Sequence, residues 1–168
     1  MDFASNIHFT KLEFPETIAL VLMRNLNSTL ITLDLHSNSI GVEVAKTLHE
    51  ALKTNSTLTT LALQNKKIGG NAVQGLASAL TTNSTLTAWN LHNNDNGDNG
   101  AQALADALQT NSTLITLNLH NDDIEDNGAQ ALADALKLNS TLTTLKLQNN
   151  KMGVHGVQAL DEVSKTTR

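Results

Sequence analysis

Three histidines, His36, His92 and His120, each follow directly on a leucine (Leu35, Leu91 and Leu119). Imidazole binds metals and changes charge near neutral pH. Two such rings beside an acid such as Asp122 have the donor types of a transition-metal site. The same position holds Gln64 and Gln148 elsewhere in the chain. A place that accepts glutamine reads as a solvated polar column, and no metal or cofactor is assigned to it. A second concentration is acidic: Asp95, Asp98, Asp122, Asp123, Glu125 and Asp126 fall in two short stretches. Oxygen-rich turns can bind calcium, but these lack the glycine and terminal glutamate of an EF-hand loop. Asp98 and Asp126 open helical patterns, where an acid stabilises the helix N-terminus.

Catalytic signatures are missing from the sequence. It has no P-loop, no G-x-S-x-G and no H-E-x-x-H, and with Cys 0 it has no thiol nucleophile, thiolate ligand or disulfide. No Lys or Arg lies between Lys67 and Lys137, and the formal net charge is -5. An acidic surface repels phosphate backbones, which excludes nucleic acid as a partner and favours a basic protein.

The elements that position these residues come from a repeat. "NSTL" occurs at Asn27, Asn55, Asn83, Asn111 and Asn139, each 28 residues after the last. A strand signal follows each copy, with apolar residues alternating at Leu33/Leu35, Leu61/Leu63, Trp89/Leu91, Leu117/Leu119 and Leu145/Leu147. A polar turn comes next, ending in Ile40-Gly41, Ile68-Gly69 or Met152-Gly153. Apolar residues at helical spacing complete the unit, as in Ala101, Leu104, Ala105 and Leu108. The block DNGAQALADAL recurs unchanged at 98–108 and 126–136. A strand and a helix of this size cannot bury both apolar faces alone, so units must stack with residue i against residue i+28. Within that stack Trp89 takes a core position.

The pattern L-x-x-L-x-L-x-x-N-x-I-G, followed by a G-A-x-x-L-A-x-A-L helix, resembles the ribonuclease-inhibitor type of leucine-rich repeat. The resemblance implies an α/β solenoid, a short horseshoe arc with a parallel β-sheet on its concave face and helices on its convex face. Five repeats start at 27, 55, 83, 111 and 139 and fill 27–165, followed by a polar tail at 166–168. Residues 1–26, which contain Phe3, Phe9, Phe14 and Pro15, read as a degenerate capping unit. Counting back 28 residues matches Ile7 with Leu35, Leu12 with Ile40 and Leu20 with Leu48. The turn asparagine that the family uses to bind backbone groups is present as Asn38, Asn94 and Asn150 but becomes Lys66 and Asp122. Asn96-Gly97 and Glu125 also depart from the pattern. An interrupted asparagine ladder and a distorted middle are the expectation.

On this reading the concave face carries Thr32, Asp34 and His36; Thr60, Ala62 and Gln64; Ala88, Asn90 and His92; Thr116, Asn118 and His120; and Thr144, Lys146 and Gln148. The expected function is a non-catalytic protein-interaction module. It binds a partner through Asp34, His36, Gln64, Asn90, His92, Asn118, His120 and Lys146, with Asp122 and Asp126 of the acidic turns. The alternatives are a GTPase regulator similar to Ran GTPase-activating proteins, or an effector or sensor resembling the repeats of NOD-like receptors. No sixth repeat follows the fifth, and the open strand edge is expected to support self-association. The start shows no signal peptide and the longest apolar run, 18–23, is too short for a bilayer. A cytoplasmic location follows as an expectation.

Overall fold

A computed structural model of the chain describes residues 6–8, 30–36, 42–64 and 68–166. Each unit is one three-residue strand and one helix, as the alternation of leucines and the helical spacing of alanines require. The order is β1 (Asn6–His8), β2 (Thr32–Asp34), α1 (Val42–Thr54), β3 (Thr60–Ala62), α2 (Gly69–Leu80), β4 (Ala88–Asn90), α3 (Gly97–Leu108), β5 (Thr116–Asn118), α4 (Asp126–Leu136), β6 (Thr144–Lys146) and α5 (Val154–Thr166). The strands form one parallel sheet of six in chain order. Consecutive helices pack against one another along the other face.

From β2 onward the register is the sequence period. Leu33 pairs with Leu61, Leu61 with Trp89, Trp89 with Leu117 and Leu117 with Leu145. At the amino end the register differs from the expectation: Ile7 pairs with Leu33, not Leu35. The first connection is therefore shorter than the repeat period, because a strand must pair where the chain delivers it. The rest of the expected cap at 1–26 lies outside the described residues, as do Asn38, Ile40, Gly41 and Lys66.

The central residue of each strand points inward and its neighbours stay half-exposed, from β2 through β5. Leu61, Leu63, Leu86, Leu91, Leu114, Leu117 and Leu119 are completely buried, and Trp89 joins them at 1% exposure. The indole nitrogen of Trp89 has no hydrogen-bond partner. Bulk, not polarity, therefore fits it to this position.

The repeated asparagine of NSTL ties each unit to the one before. Asn111 Oδ1 accepts from the backbone N–H groups of Thr113 (3.1 Å) and Leu114 (2.9 Å), closing the turn into β5. Its Nδ2 donates to Leu80 O (2.9 Å) and Asn83 O (3.1 Å) of the preceding unit. Leu80 ends α2, so this bond satisfies a carbonyl that the helix leaves free. Asn83 and Asn139 repeat the arrangement on Leu52 and Leu108.

β6 is the last strand, and there the spine loses cover. Leu142, Leu145 and Leu147 are only partly buried. Together with Leu136, Leu160 and Val163, two of these leucines (Leu142 and Leu145) line a groove of about 530 Å³ at this end of the stack. Leu117→Ala in the covered spine should cost about 2–5 kcal/mol in urea unfolding. Leu145→Ala in the half-covered unit should cost clearly less. Equal losses would contradict the graded burial.

Candidate interaction face

The outward strand positions form a platform without a deep cleft. Asn90 and Asn118 sit opposite each other on β4 and β5, and Lys146 continues the row on β6. The amide orientations are fixed from below: Asn90 Oδ1 accepts from His92 N (3.2 Å) and Asn118 Oδ1 from His120 N (3.1 Å). Each Nδ2 is thereby turned to the face as a donor. Asp34 holds the equivalent place on β2, and its Oδ1 accepts from His36 N (3.0 Å) and also contacts His36 Nδ1 (2.9 Å).

The expected histidine neighbours are present. The rings of His92 and His120 meet edge to face with centroids 6.0 Å apart. Burial, and then the charge of His120, hold the His92 pKa below its usual value. Asn149 Nδ2 approaches His120 Nε2 at 3.3 Å. Among the described residues, no three side chains of metal-ligand type converge on one point. The pair therefore has no third ligand of that kind. Gln64 and Gln148 flank the column; Gln64 Oε1 is buried without a partner and Gln148 is exposed.

The acidic turns are largely committed elsewhere, which corrects the expectation for several residues. Asp122 is fully buried at 0% exposure and cannot meet a partner at the surface. Its Oδ1 accepts from Asn94 N at 2.7 Å. Asp98 and Asp126 lie in the first turns of their own helices, as expected, but their hydrogen bonds reach the start of the next helix. Asp98 Oδ1 accepts from Glu125 N (2.8 Å) and Gly128 N (2.9 Å), at the start of the next helix, α4. Asp126 Oδ1 accepts from Gly153 N (2.7 Å) and Gly156 N (2.8 Å), at the start of α5. Asp126 thus belongs to the stacking machinery, not to the proposed binding face. A carboxylate can come this close because the capped residue is glycine: a Cβ on Gly128 would lie 2.6 Å from Asp98 Oδ1.

Asp123 pairs with Lys151 (2.9 Å) and Asp134 with Lys137 (2.6 Å), while Asp106 accepts from Gln102 (2.8 Å). Asp95 and Glu125 keep exposed carboxylates with no bond of this kind. Asp98, Asp122 and Asp126 are thus used between repeats, while Asp95, Asp106, Asp123, Glu125 and Asp134 stay exposed. Periodicity gave no sign of this, because the caps run from one repeat to the next.

The turns themselves need unusual backbone. Asn93, Asp95, Asn121, Asp123 and Asn149 have φ between 55° and 60°. Asn and Asp tolerate this region better than other residues with side chains. The repeated Asn and Asp of these turns are explained by that geometry before any ligand is invoked. The β4–β5 register is intact, but the turn before α4 departs from the repeat, with Glu125 extended at φ -105° where Gly69 and Gly97 have φ of 73° and 59°.

A family model for the leucine-rich repeat matches residues 82–105, 110–133 and 138–160. These segments are leucine-rich repeats, and the fold that they and their neighbours build is a leucine-rich-repeat solenoid. Among solved structures, actin-binding site 2 of leiomodin-1 is similar over 95% of this chain and 94% of its own, with TM-score 0.75 and 25% identity. The tropomodulin C-terminal domain of Caenorhabditis elegans follows, with TM-score 0.74, 14% identity, and 90% and 92% of the two chains covered. An internalin from Listeria monocytogenes gives TM-score 0.54 and 21% identity over 92% of this chain and 37% of its own. Among curated proteins no relative matches the sequence.

Removing an inter-repeat cap tests the assignment of the acids. Asp126→Ala should lower stability by about 0.5–2 kcal/mol, the range of a helix N-cap. It should also speed hydrogen exchange at the amides of Gly153 and Gly156. Glu125→Ala, one residue earlier, should do neither.

Proposed function

We propose that the chain is a non-catalytic protein-interaction module whose concave face docks a folded partner. One observation carries this reading: a register of free donors, Asn90 Nδ2, Asn118 Nδ2 and Lys146 Nζ, crosses three adjacent strands held in one parallel register. Parallel strands lie roughly 4.8 Å apart, so the three donors fit within about 10 Å. Little entropy is lost when a partner meets side chains already held in place. His92, His120, His36, Gln64 and Asp34 extend the platform sideways. The partner surface that suits the row is rich in acceptors, carboxylates and carbonyls, in place of the basic surface first expected.

The likeness to actin-binding site 2 of leiomodin-1 favours a more specific form of the same reading, in which the partner is actin. Neither form assigns a catalytic residue. The lack of cysteine suits a reducing compartment such as the cytoplasm. Among the described residues no helix is long and apolar enough to cross a membrane. Self-association is a separate proposal, placed at β6, where the groove beside Leu142 and Leu145 is uncovered; sedimentation of wild type against Leu145→Asp measures it.

Co-sedimentation with actin filaments and titration of monomeric actin test the specific form. Wild type should bind, and Asn90→Glu combined with Asn118→Glu and Lys146→Glu should weaken binding at least tenfold while the circular dichroism spectrum is kept. No binding by wild type ends the actin reading. Binding that survives the triple substitution moves the site off the concave face.

A further inference from the structure

We propose that Asp122 is a neutral carboxylic acid in the folded array, and that its proton locks the seam between the third and fourth repeats. The reading depends on the turn ladder alone and on no choice of partner. Its neighbours at the same repeat position, Asn94 and Asn150, both donate from the amide nitrogen, and Asn150 uses the oxygen end as well. Asn94 Nδ2 donates to Leu63 O (2.9 Å) and Leu91 O (2.7 Å). Asn150 Nδ2 donates to Leu119 O (2.7 Å) and Leu147 O (2.9 Å). The oxygen end takes a backbone N–H from the preceding unit: Asn150 Oδ1 accepts from Asp122 N at 2.9 Å.

Asp122 reproduces the oxygen half of this pattern, since Asn94 N reaches its Oδ1 at 2.7 Å. The nitrogen half has no nitrogen. The carbonyls at the equivalent spacing are Leu91 O and Leu119 O, and Oδ2 is buried without a hydrogen-bond partner among the described residues. An ionised oxygen against carbonyl oxygens is repelled, whereas a protonated one donates and restores the missing bond.

The surroundings agree. Burial raises the pKa of Asp122 and the nearby Asp95 adds to it, while the N–H groups of Asn94 and Asn96 and the Asn96 side chain act the other way; the outcome is about 7. No cation among the described residues is part of that set. Lys151, on the next turn, is paired with Asp123. Asn96 is itself a departure from the repeat, standing where other units have Ile68, Ile124 or Met152. It is 2% exposed, and apart from its approach to the Asp122 carboxyl its amide has no hydrogen-bond partner among the described residues. Two of the irregular positions of the sequence, Asn96 and Asp122, are therefore neighbours across one seam.

The sign follows from proton counting. Between the ordinary carboxyl value of 3.8 and about 7, the folded chain holds a proton that the unfolded chain has lost. Its contribution to stability is full below that window, falls about tenfold in the folding equilibrium per pH unit within it, and is gone above it. His92 works in the opposite direction, because its pKa is lowered and acid disfavours the fold there. A difference between variants separates the two.

Urea unfolding of the full chain from about pH 5 to about pH 8 would compare wild type, Asp122→Asn and the exposed neighbour Asp123→Asn. Asparagine supplies the nitrogen that the ladder lacks. Asp122→Asn should gain stability over wild type as pH rises, by about tenfold per unit up to about pH 7, while Asp123→Asn should track wild type. Infrared spectra near pH 6 should show a protonated carboxyl band in wild type that Asp122→Asn lacks. A pH-independent gap, an Asp122→Asn chain that is less stable throughout or fails to fold, or an absent band would overturn the proposal.

Discussion

The array depends on one side chain used many times, the asparagine of NSTL. Its oxygen closes the turn into a strand and its nitrogen bonds the end of the previous helix, so one residue serves two units at once. The oxygen finds its partners within its own unit, but the nitrogen can be satisfied only by the unit before. The four groups are backbone groups that would be left without partners in a buried turn, and leaving them so is far more costly than the bonds are individually strong. A strict interval of 28 residues follows, because an inserted residue would separate the amide from the carbonyls of its neighbour.

The same logic recurs at the helix starts. Asp98 and Asp126 cap helices that begin at Asp126 and Val154 of the next unit, with glycine receiving the carboxylate at close range. Stacking is thus held by three columns: inward leucines, asparagines at the helix ends and aspartates at the helix starts. The first is apolar and tolerant, as Trp89 in a leucine register shows. The polar two are particular, because each atom has an assigned partner in the adjacent unit. A function that varies between units has only the outward strand positions left to use. The donors on β4, β5 and β6 occupy that remaining freedom.

Most of the fold was legible in the sequence. Strand and helix follow from alternation and helical spacing, and the parallel sheet follows from the period. The candidate face was legible in part: Asn90, Asn118 and Lys146 stand on it in one row, and His92 and His120 meet. Asp122 was not legible, because charge looks like surface in a sequence. Asp122 resembles its solvated neighbour Asp123 until the ladder places it at 0% exposure.

What the sequence by itself determined was the module and its copying: which residues face inward, how long a unit is, and that equal positions must meet. Those are properties of periodicity, which a chain carries whatever its surroundings. Only the tertiary structure decided which polar atoms are spent between units and which stay free, and whether a carboxyl keeps its proton. Those depend on distances of about 3 Å to atoms some thirty residues away. They depend equally on the loss of water around them, and no single unit contains either.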